Sequence, residues 1–138
     1  MHRFTVELRV SGKALDPDEV TRKLALNPSQ VRRRGERRSE KSEWPDSMWS
    51  FEVLSPRQDD WRSLEEGLLA TLKLFSPIRS QLQSFLPANE IYLWCGHFTS
   101  SFGGGPTLSP ALLKSLGDFG VALILETHCV EGGGPLDQ

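Results

Sequence analysis

The sequence predicts an α+β fold, a two-layer sandwich with one mostly antiparallel or mixed sheet of four to five strands and helices mainly on one face. Segments in which apolar and polar residues alternate, as in half-buried strands, are interleaved with segments whose apolar residues recur every three or four positions, as in amphipathic helices. The chain has 138 residues, the usual size of one domain. The expected outline is ferredoxin-like, with an enlarged middle connection.

The first strand and the first helix have the clearest signals. Apolar residues occupy every second position over residues 4–10, which predicts a strand with one buried and one solvated face. Asp16 precedes Pro17, and an N-cap residue followed by proline is typical of a helix start. Asn27-Pro28 ends this helix, because the residue before a proline disfavours the helical conformation.

The middle of the chain predicts a second strand and the longest helix. Residues 49–53 alternate between apolar and polar and form the strand. Residues 61–75 carry an apolar stripe at helical spacing, and we expect Asp59 or Asp60 to cap that helix. Pro77 interrupts the stripe, so a kink or a fresh, shorter helix is expected there.

The last third of the chain predicts two strands joined by a helix. Residues 90–98 are apolar on both faces, which indicates a central strand. Ser109 and Pro110 open a helix that ends at Gly120. Residues 121–125 form the last predicted strand.

The chain is predicted to form one domain with related strand-helix units near its two ends. Residues 15–17 and 108–110 each read leucine, capping residue, proline, and each triplet follows a strand and opens a helix. We expect a single α+β domain over residues 1–130, with a long charged loop at 28–48. Residues 131–138 have nothing to bury and are expected to form a flexible tail.

Composition excludes several functional classes. The formal net charge of −2 gives no general attraction to nucleic acid or to an anionic membrane, so both are disfavoured as partners. The longest apolar run, residues 121–125, is far too short for a membrane helix, and no secretory signal is visible. Cys95 and Cys129 are expected to be free thiols, which favours a cytoplasmic protein.

Several short motifs lie along the chain: Gly12 after the opening strand, Leu15-Asp16-Pro17, Asn27-Pro28-Ser29, Trp49 at the start of a strand, residues 108–113, and Gly120 before the final strand. Together these motifs resemble a bacterial family of small, often stand-alone domains known as a domain of unknown function (DUF4279-like). The resemblance spans nearly the whole chain and supports the domain boundaries. It implies no agreed catalytic residues, so none are assigned.

An arginine-rich segment is the first candidate binding site. Residues 32–41 hold six cations and two glutamates, a local charge of +4 that leaves −6 for the rest of the chain. Arg33, Arg34 and Arg37 could bind phosphates, while Trp44 is expected to fold back as a lid or to meet a partner. The favoured alternative is a solvated loop whose cations pair with nearby carboxylates, namely Glu36, Glu40 and Glu43.

A glycine-rich loop is the second candidate. It runs over residues 103–109 to a helix start, where free amides favour an anion, so Gly104 and Ser109 are candidate ligand contacts. The loop matches neither the P-loop nor the dinucleotide-binding pattern. A flexible turn is therefore the favoured alternative.

Cysteine and histidine residues suggest two weaker possibilities. Cys95 and His97 share a strand face and could serve an unrecognised enzyme, but no catalytic motif accompanies them. His128 and Cys129 could join them around zinc. Adjacent residues of a strand point to opposite faces, so we predict neither a metal site nor a cofactor.

The leading functional hypothesis is a non-catalytic binding or protein-interaction module. It rests on a complete core without a convergent catalytic set. An immunity-type role, in which the domain blocks a toxin, and self-association into a homodimer are both candidates. The alternatives are an anion or nucleic-acid binder that uses Arg32 to Arg38, and an enzyme built on Cys95 and His97.

Overall fold

A five-stranded mixed sheet organises the structure. The computed structural model describes residues 2–101 and 103–130. In chain order its elements are β1 (His2–Gly12), α1 (Pro17–Leu24), β2 (Gln30–Arg32), β3 (Arg37–Ser39), β4 (Ser42–Glu43), β5 (Ser47–Glu52), α2 (Leu64–Phe75), a 3-10 turn (Ser76–Ile78), α3 (Arg79–Gln83), β6 (Glu90–Thr99), α4 (Pro110–Phe119) and β7 (Ala122–Cys129).

The strands lie in the order β2-β5-β1-β6-β7. Strand β1 pairs antiparallel with both β5 and β6, and β5 pairs antiparallel with β2. Strand β7 lies parallel to β6 at the edge of the sheet. The predicted α+β class, with a mixed sheet of five strands, is confirmed.

The helices form one layer on one face of the sheet. The alternate residues of β1 from Phe4 to Val10 are buried under this layer, as the sequence pattern predicts. Leu68 of α2, Phe75 at the end of α2 and Leu112 of α4 belong to the same core. The side chains on the opposite face of the sheet have no helix over them within the described chain.

The start of α2 differs from the prediction. The cap is Ser63, whose hydroxyl accepts a hydrogen bond from the amide of Glu66, so the expectation of Asp59 or Asp60 is wrong. Trp61 lies before the helix and forms a β-bridge with Phe4. The indole of Trp61 is nonetheless buried in the core, which explains why it continues the apolar stripe in the sequence.

The segment over residues 28–48 is more ordered than a loop. Strand β2 joins the sheet at one edge, and β3 pairs with β4 as a short hairpin. The sequence gives no sign of these strands because they are two or three residues long and their side chains are mostly exposed, which leaves no alternation to detect.

Each strand-helix unit leads into a strand that runs parallel to the first strand of the unit. Strands β6 and β7, joined through α4, lie side by side. Strands β1 and β2, joined through α1, run in the same direction because both pair antiparallel with β5, which lies between them. The predicted tail at residues 131–138 lies outside the described residues. Within the described part of the chain, none of the helices has the length and apolar character needed to cross a bilayer.

Candidate functional site

The sheet face without helices is the first candidate site, and we call it the open face. Because directly paired residues share a face, the strand register assigns its members. They are Arg3, Thr5, Glu7 and Arg9 of β1, Ser50 and Glu52 of β5, Tyr92, Trp94, Gly96 and Phe98 of β6, and Ile124, Glu126 and His128 of β7.

Aromatic rings and arginines form a layer over the open face. Trp94 and Phe98 lie against Gly96, where an added β-carbon would be 3.1 Å from one ring and 3.0 Å from the other. The guanidinium of Arg9 lies 4.5 Å from the centre of the Trp94 ring. His128 stacks on Phe98 with 5.1 Å between the ring centroids. A side chain at position 96 would prevent this arrangement, so the glycine allows the rings to lie close to the sheet.

Two carboxylates lie side by side in this layer. Glu7 accepts hydrogen bonds from Arg9 Nε at 3.0 Å and from the Ser50 hydroxyl at 2.7 Å. Glu52 lies directly opposite Glu7 in the strand pairing. Burial raises the pKa of Glu52 above its ordinary value, with further contributions from the negative charges of Glu7 and Asp60.

A depression of about 500 Å³ lies at one end of the open face. Tyr92 and Ile124 line it on the side of the aromatic layer, and Arg32 with Asp46 lines it on the side of β2. Ile124 is 45% exposed, a high value for a large aliphatic residue in a strand. The open face therefore combines aromatic, charged and exposed aliphatic groups.

The arginine segment has a different pairing from the one expected. Arg32 Nη2 lies 2.8 Å from Asp46, and Arg33 Nη2 lies 3.0 Å from Asp18. The expected ion pairs with the nearby glutamates, Glu36, Glu40 and Glu43, do not form. The Glu36 carboxylate instead accepts a hydrogen bond from the backbone amide of Arg33.

Trp44 is part of the same segment and packs against arginines. The guanidiniums of Arg32 and Arg38 lie 4.3 and 4.7 Å from the centre of its ring. The indole also lines a cavity of about 700 Å³ together with Arg34 and Arg37. Three of the four predicted residues of this segment are thus brought together, and the fourth, Arg33, is held by Asp18.

Cys95 and His97 lie on the helix side of the sheet. Cys95 is fully buried, and burial raises the pKa of its thiol to about 12, which leaves it protonated and inaccessible. His97 is 3% exposed and stacks on Phe4. Its Nε2 lies 2.8 Å from His2 Nδ1, and burial followed by the charge of His2 lowers the pKa of His97. This environment does not supply a nucleophile.

The four potential zinc ligands do not converge. His128 lies on the open face, where its Nε2 is 2.8 Å from Glu126, while His97 faces the helices. Over residues 2–101 and 103–130, no three histidine, cysteine, aspartate or glutamate side chains are grouped as a metal site would require. Cys129 is an exposed free thiol at the end of β7.

At the helix start that follows the glycine loop, the Ser109 donors are already used within the protein. Ser109 donates its amide and its hydroxyl to the carboxylate of Glu65, at 2.7 and 2.9 Å. Gly104 has a φ of +79°, and a β-carbon added to Gly104 would lie 3.4 Å from the His2 ring. Gly104 and His97 line a second cavity, of about 370 Å³, at the carboxyl ends of β6 and β7.

Sequence reasoning missed the open face as a site. Two sequence features indicate this face: the polar residues that alternate along β1, and the aromatic residues that alternate along β6. Residues 90–98 are apolar on both faces, because tyrosine, tryptophan and phenylalanine alternate there with smaller apolar residues, and this pattern does not tell which face the helices cover. In the structure Tyr92, Trp94 and Phe98 are only half-buried.

The fold defines the class of protein, a small α+β sandwich whose five-stranded mixed sheet carries its helices on one face. The chain belongs to the family described as Domain of unknown function (DUF4279), whose model matches residues 2–130. The resemblance drawn from the sequence motifs is thereby confirmed. No curated protein and no solved structure matches this chain.

Proposed function

We propose that this protein is a non-catalytic binding module that docks a protein partner on the open face. The observation that carries the proposal is the layer of Tyr92, Trp94, Phe98 and Arg9 on a sheet face without helices. Aromatic residues and arginine are the types most enriched at protein interfaces and at their energetic hot spots. The exposed part of this half-buried layer can be covered by a partner, which would displace the water that contacts it.

The charge of the open face favours a basic partner. Arg3 pairs with Asp60 and Arg9 pairs with Glu7, which uses both arginines of β1 internally. Glu52 makes no ion pair within the described residues, and its neighbours Glu7 and Asp60 are negative. A lysine or arginine supplied by a partner would relieve this repulsion.

Exposed aliphatic surface adjoins these charges. Ile124 lies across β6 from Glu7, in the same row as Trp94. The partner we propose therefore presents a basic side chain beside an apolar one. We place the module in the bacterial cytoplasm, and an immunity-type role, in which it occupies a basic surface of a toxin, suits a small domain with one free face.

Affinity capture from native lysate with matched variants tests the proposal. Ile124→Ser and Glu52→Lys alter the open face, and Leu113→Ser removes a comparably exposed aliphatic residue from α4, where 53% of Leu113 is exposed. We expect the wild type and Leu113→Ser to retain a stoichiometric partner. Both open-face variants should weaken its binding by about tenfold or more, the effect of a hot-spot residue.

The contrary results are equally clear. Recovery of no stoichiometric protein, or of only a second copy of this chain, contradicts the proposal. Equal loss of the partner in Leu113→Ser also contradicts it. Melting temperatures no lower than that of the wild type ensure that any lost binding reflects the surface and not the fold.

A further inference from the structure

A second, separate surface carries unbalanced positive charge. The loop after β1 and the β3–β4 hairpin line an open depression of about 700 Å³, which we call the hairpin pocket. None of the residues that line the hairpin pocket belongs to the open face. Its charged lining residues are Lys13, Arg34, Arg37, Lys41, Glu40 and Glu43.

The cations of the hairpin pocket have no carboxylate partners. Within the described residues, none of the four makes an ion pair, in contrast to Arg32 and Arg33 of the same segment. Arg37 donates instead to the backbone carbonyl of Glu40 at 2.7 Å. Four cations against two glutamates leave a positive cavity on a chain whose total charge is −2.

The backbone that carries these cations is held in place. Gly35 donates its amide to the Trp44 carbonyl, and Trp44 donates to the Glu36 carbonyl, both at 2.9 Å. The Arg34 amide donates to the Ser47 hydroxyl at 2.9 Å, which ties the segment to β5. Gly35 has a φ of +88°, so glycine permits the turn that brings Arg34 and Arg37 to one cavity. Binding therefore needs little ordering of the backbone.

We propose that the hairpin pocket binds the polyphosphate group of a small ligand, either free or carried by a nucleotide. Several positive charges around one cavity match an anion with several negative charges, and arginine forks bind phosphate oxygens in pairs. The volume is in the range of small-molecule sites. Lys13 comes from a different loop, so the charges reach the ligand from two sides of the cavity.

Calorimetric titration of the full chain at low salt tests this inference. The probes are inorganic tripolyphosphate, ATP and a short single-stranded RNA. Arg34→Ala/Arg37→Ala removes two pocket cations, and Arg22→Ala/Arg62→Ala removes two exposed arginines elsewhere for the same change of net charge. We expect saturable binding of tripolyphosphate and ATP that weakens about tenfold or more in the pocket variant, weakens with added salt, and persists in the control.

The arms of the titration separate the sources of the ligand. Equal affinities for tripolyphosphate and ATP indicate a free polyphosphate, and tighter binding of ATP indicates a nucleotide. Binding of RNA without either small anion overturns the inference in favour of a nucleic-acid strand. Absence of saturable binding, or an equal loss in both double variants, also overturns it. Because Ile124 and Glu52 lie outside this pocket, their variants leave this result unchanged.

Discussion

Glu65 and Ser109, which are 44 positions apart in sequence, connect α2 to the start of α4. The Glu65 carboxylate accepts the Ser109 amide at 2.7 Å and the Ser109 hydroxyl at 2.9 Å. The start of α4 is thus supplied with an anion by the first turn of α2. Ser109 caps α4 through its hydroxyl, which accepts the Leu112 amide. The positive end of a helix favours a negative group, so the Glu65 carboxylate holds the cap residue in place and fixes the packing of α4 beside α2.

Removing this carboxylate should destabilise the fold. Glu65→Ala leaves the Ser109 amide without its partner, and we expect a loss of about 1–2 kcal/mol in the free energy of unfolding. Glu66→Ala is the matched control, because Glu66 lies in the same turn but its carboxylate makes no hydrogen bond within the described residues. The control should change stability by less than about 0.5 kcal/mol. Urea denaturation measures both, and equal effects would refute the role of Glu65.

Two helical glycines should respond to alanine with opposite signs. At Gly67 an added β-carbon would lie 2.9 Å from Val6 Cγ2 and 3.0 Å from the Trp61 ring, so Gly67→Ala should cost about 1–3 kcal/mol through overpacking. Gly117 has open space around it, so Gly117→Ala should gain about 0.5–1 kcal/mol of helix propensity. Thermal unfolding reports both signs. A stabilised Gly67→Ala variant would show that α2 does not pack closely on β1.

The raised pKa of Glu52 predicts a pH-dependent stability difference. Between the ordinary value of 4.5 and the raised pKa, the folded state binds more proton than the unfolded state, so this group lowers stability as pH rises through that window. Glu52→Gln should therefore stabilise the protein at neutral pH, by about 0.5 kcal/mol because a half-exposed charge is screened. The gain should vanish at about pH 3, well below 4.5, where Glu52 is protonated in both states. Urea titrations at the two pH values measure it, and a gain independent of pH would contradict the assignment.

The two cysteines should differ in reactivity. Cys129 is exposed, whereas Cys95 is buried with a pKa raised to about 12. A thiol-alkylating reagent should add once to the native protein, at Cys129, and twice after denaturation. Intact-mass and peptide analysis identify the sites. Alkylation of native Cys95 at the rate of Cys129 would reopen the hypothesis of an enzyme built on Cys95 and His97.

The elements that the sequence predicts well are those with a strong physical signal. The alternation in β1 and the cap-proline starts of α1 and α4 are local patterns, and the structure contains each of them. The cap of α2 was predicted wrongly because aspartate and serine are both good caps. The bridge between Trp61 and Phe4, which removes Trp61 from the helix, is a long-range contact that no local pattern contains.

The candidate sites show a similar division. The arginine segment is conspicuous in composition, and its local charge of +4 is evident from the sequence alone. The ion pairs of this segment are not evident from the sequence, because only the folded chain brings Asp46 next to Arg32 and Asp18 next to Arg33. The position of the open face depends on which side of the sheet the helices pack against. A strand such as β6 has large residues on both faces, so its sequence does not predict which face the helices cover.

Hydroxyl-radical footprinting of the protein alone and in its captured complex tests the central claim most directly. In the free protein, Tyr92, Phe98 and Ile124 on the open face and Leu113 on α4 should all be oxidised. In the complex, we expect oxidation of the three open-face residues to fall strongly while that of Leu113 is unchanged. Protection of Leu113 with continued oxidation of Tyr92 and Ile124 would place the partner on the helix layer and contradict a docking role for the open face.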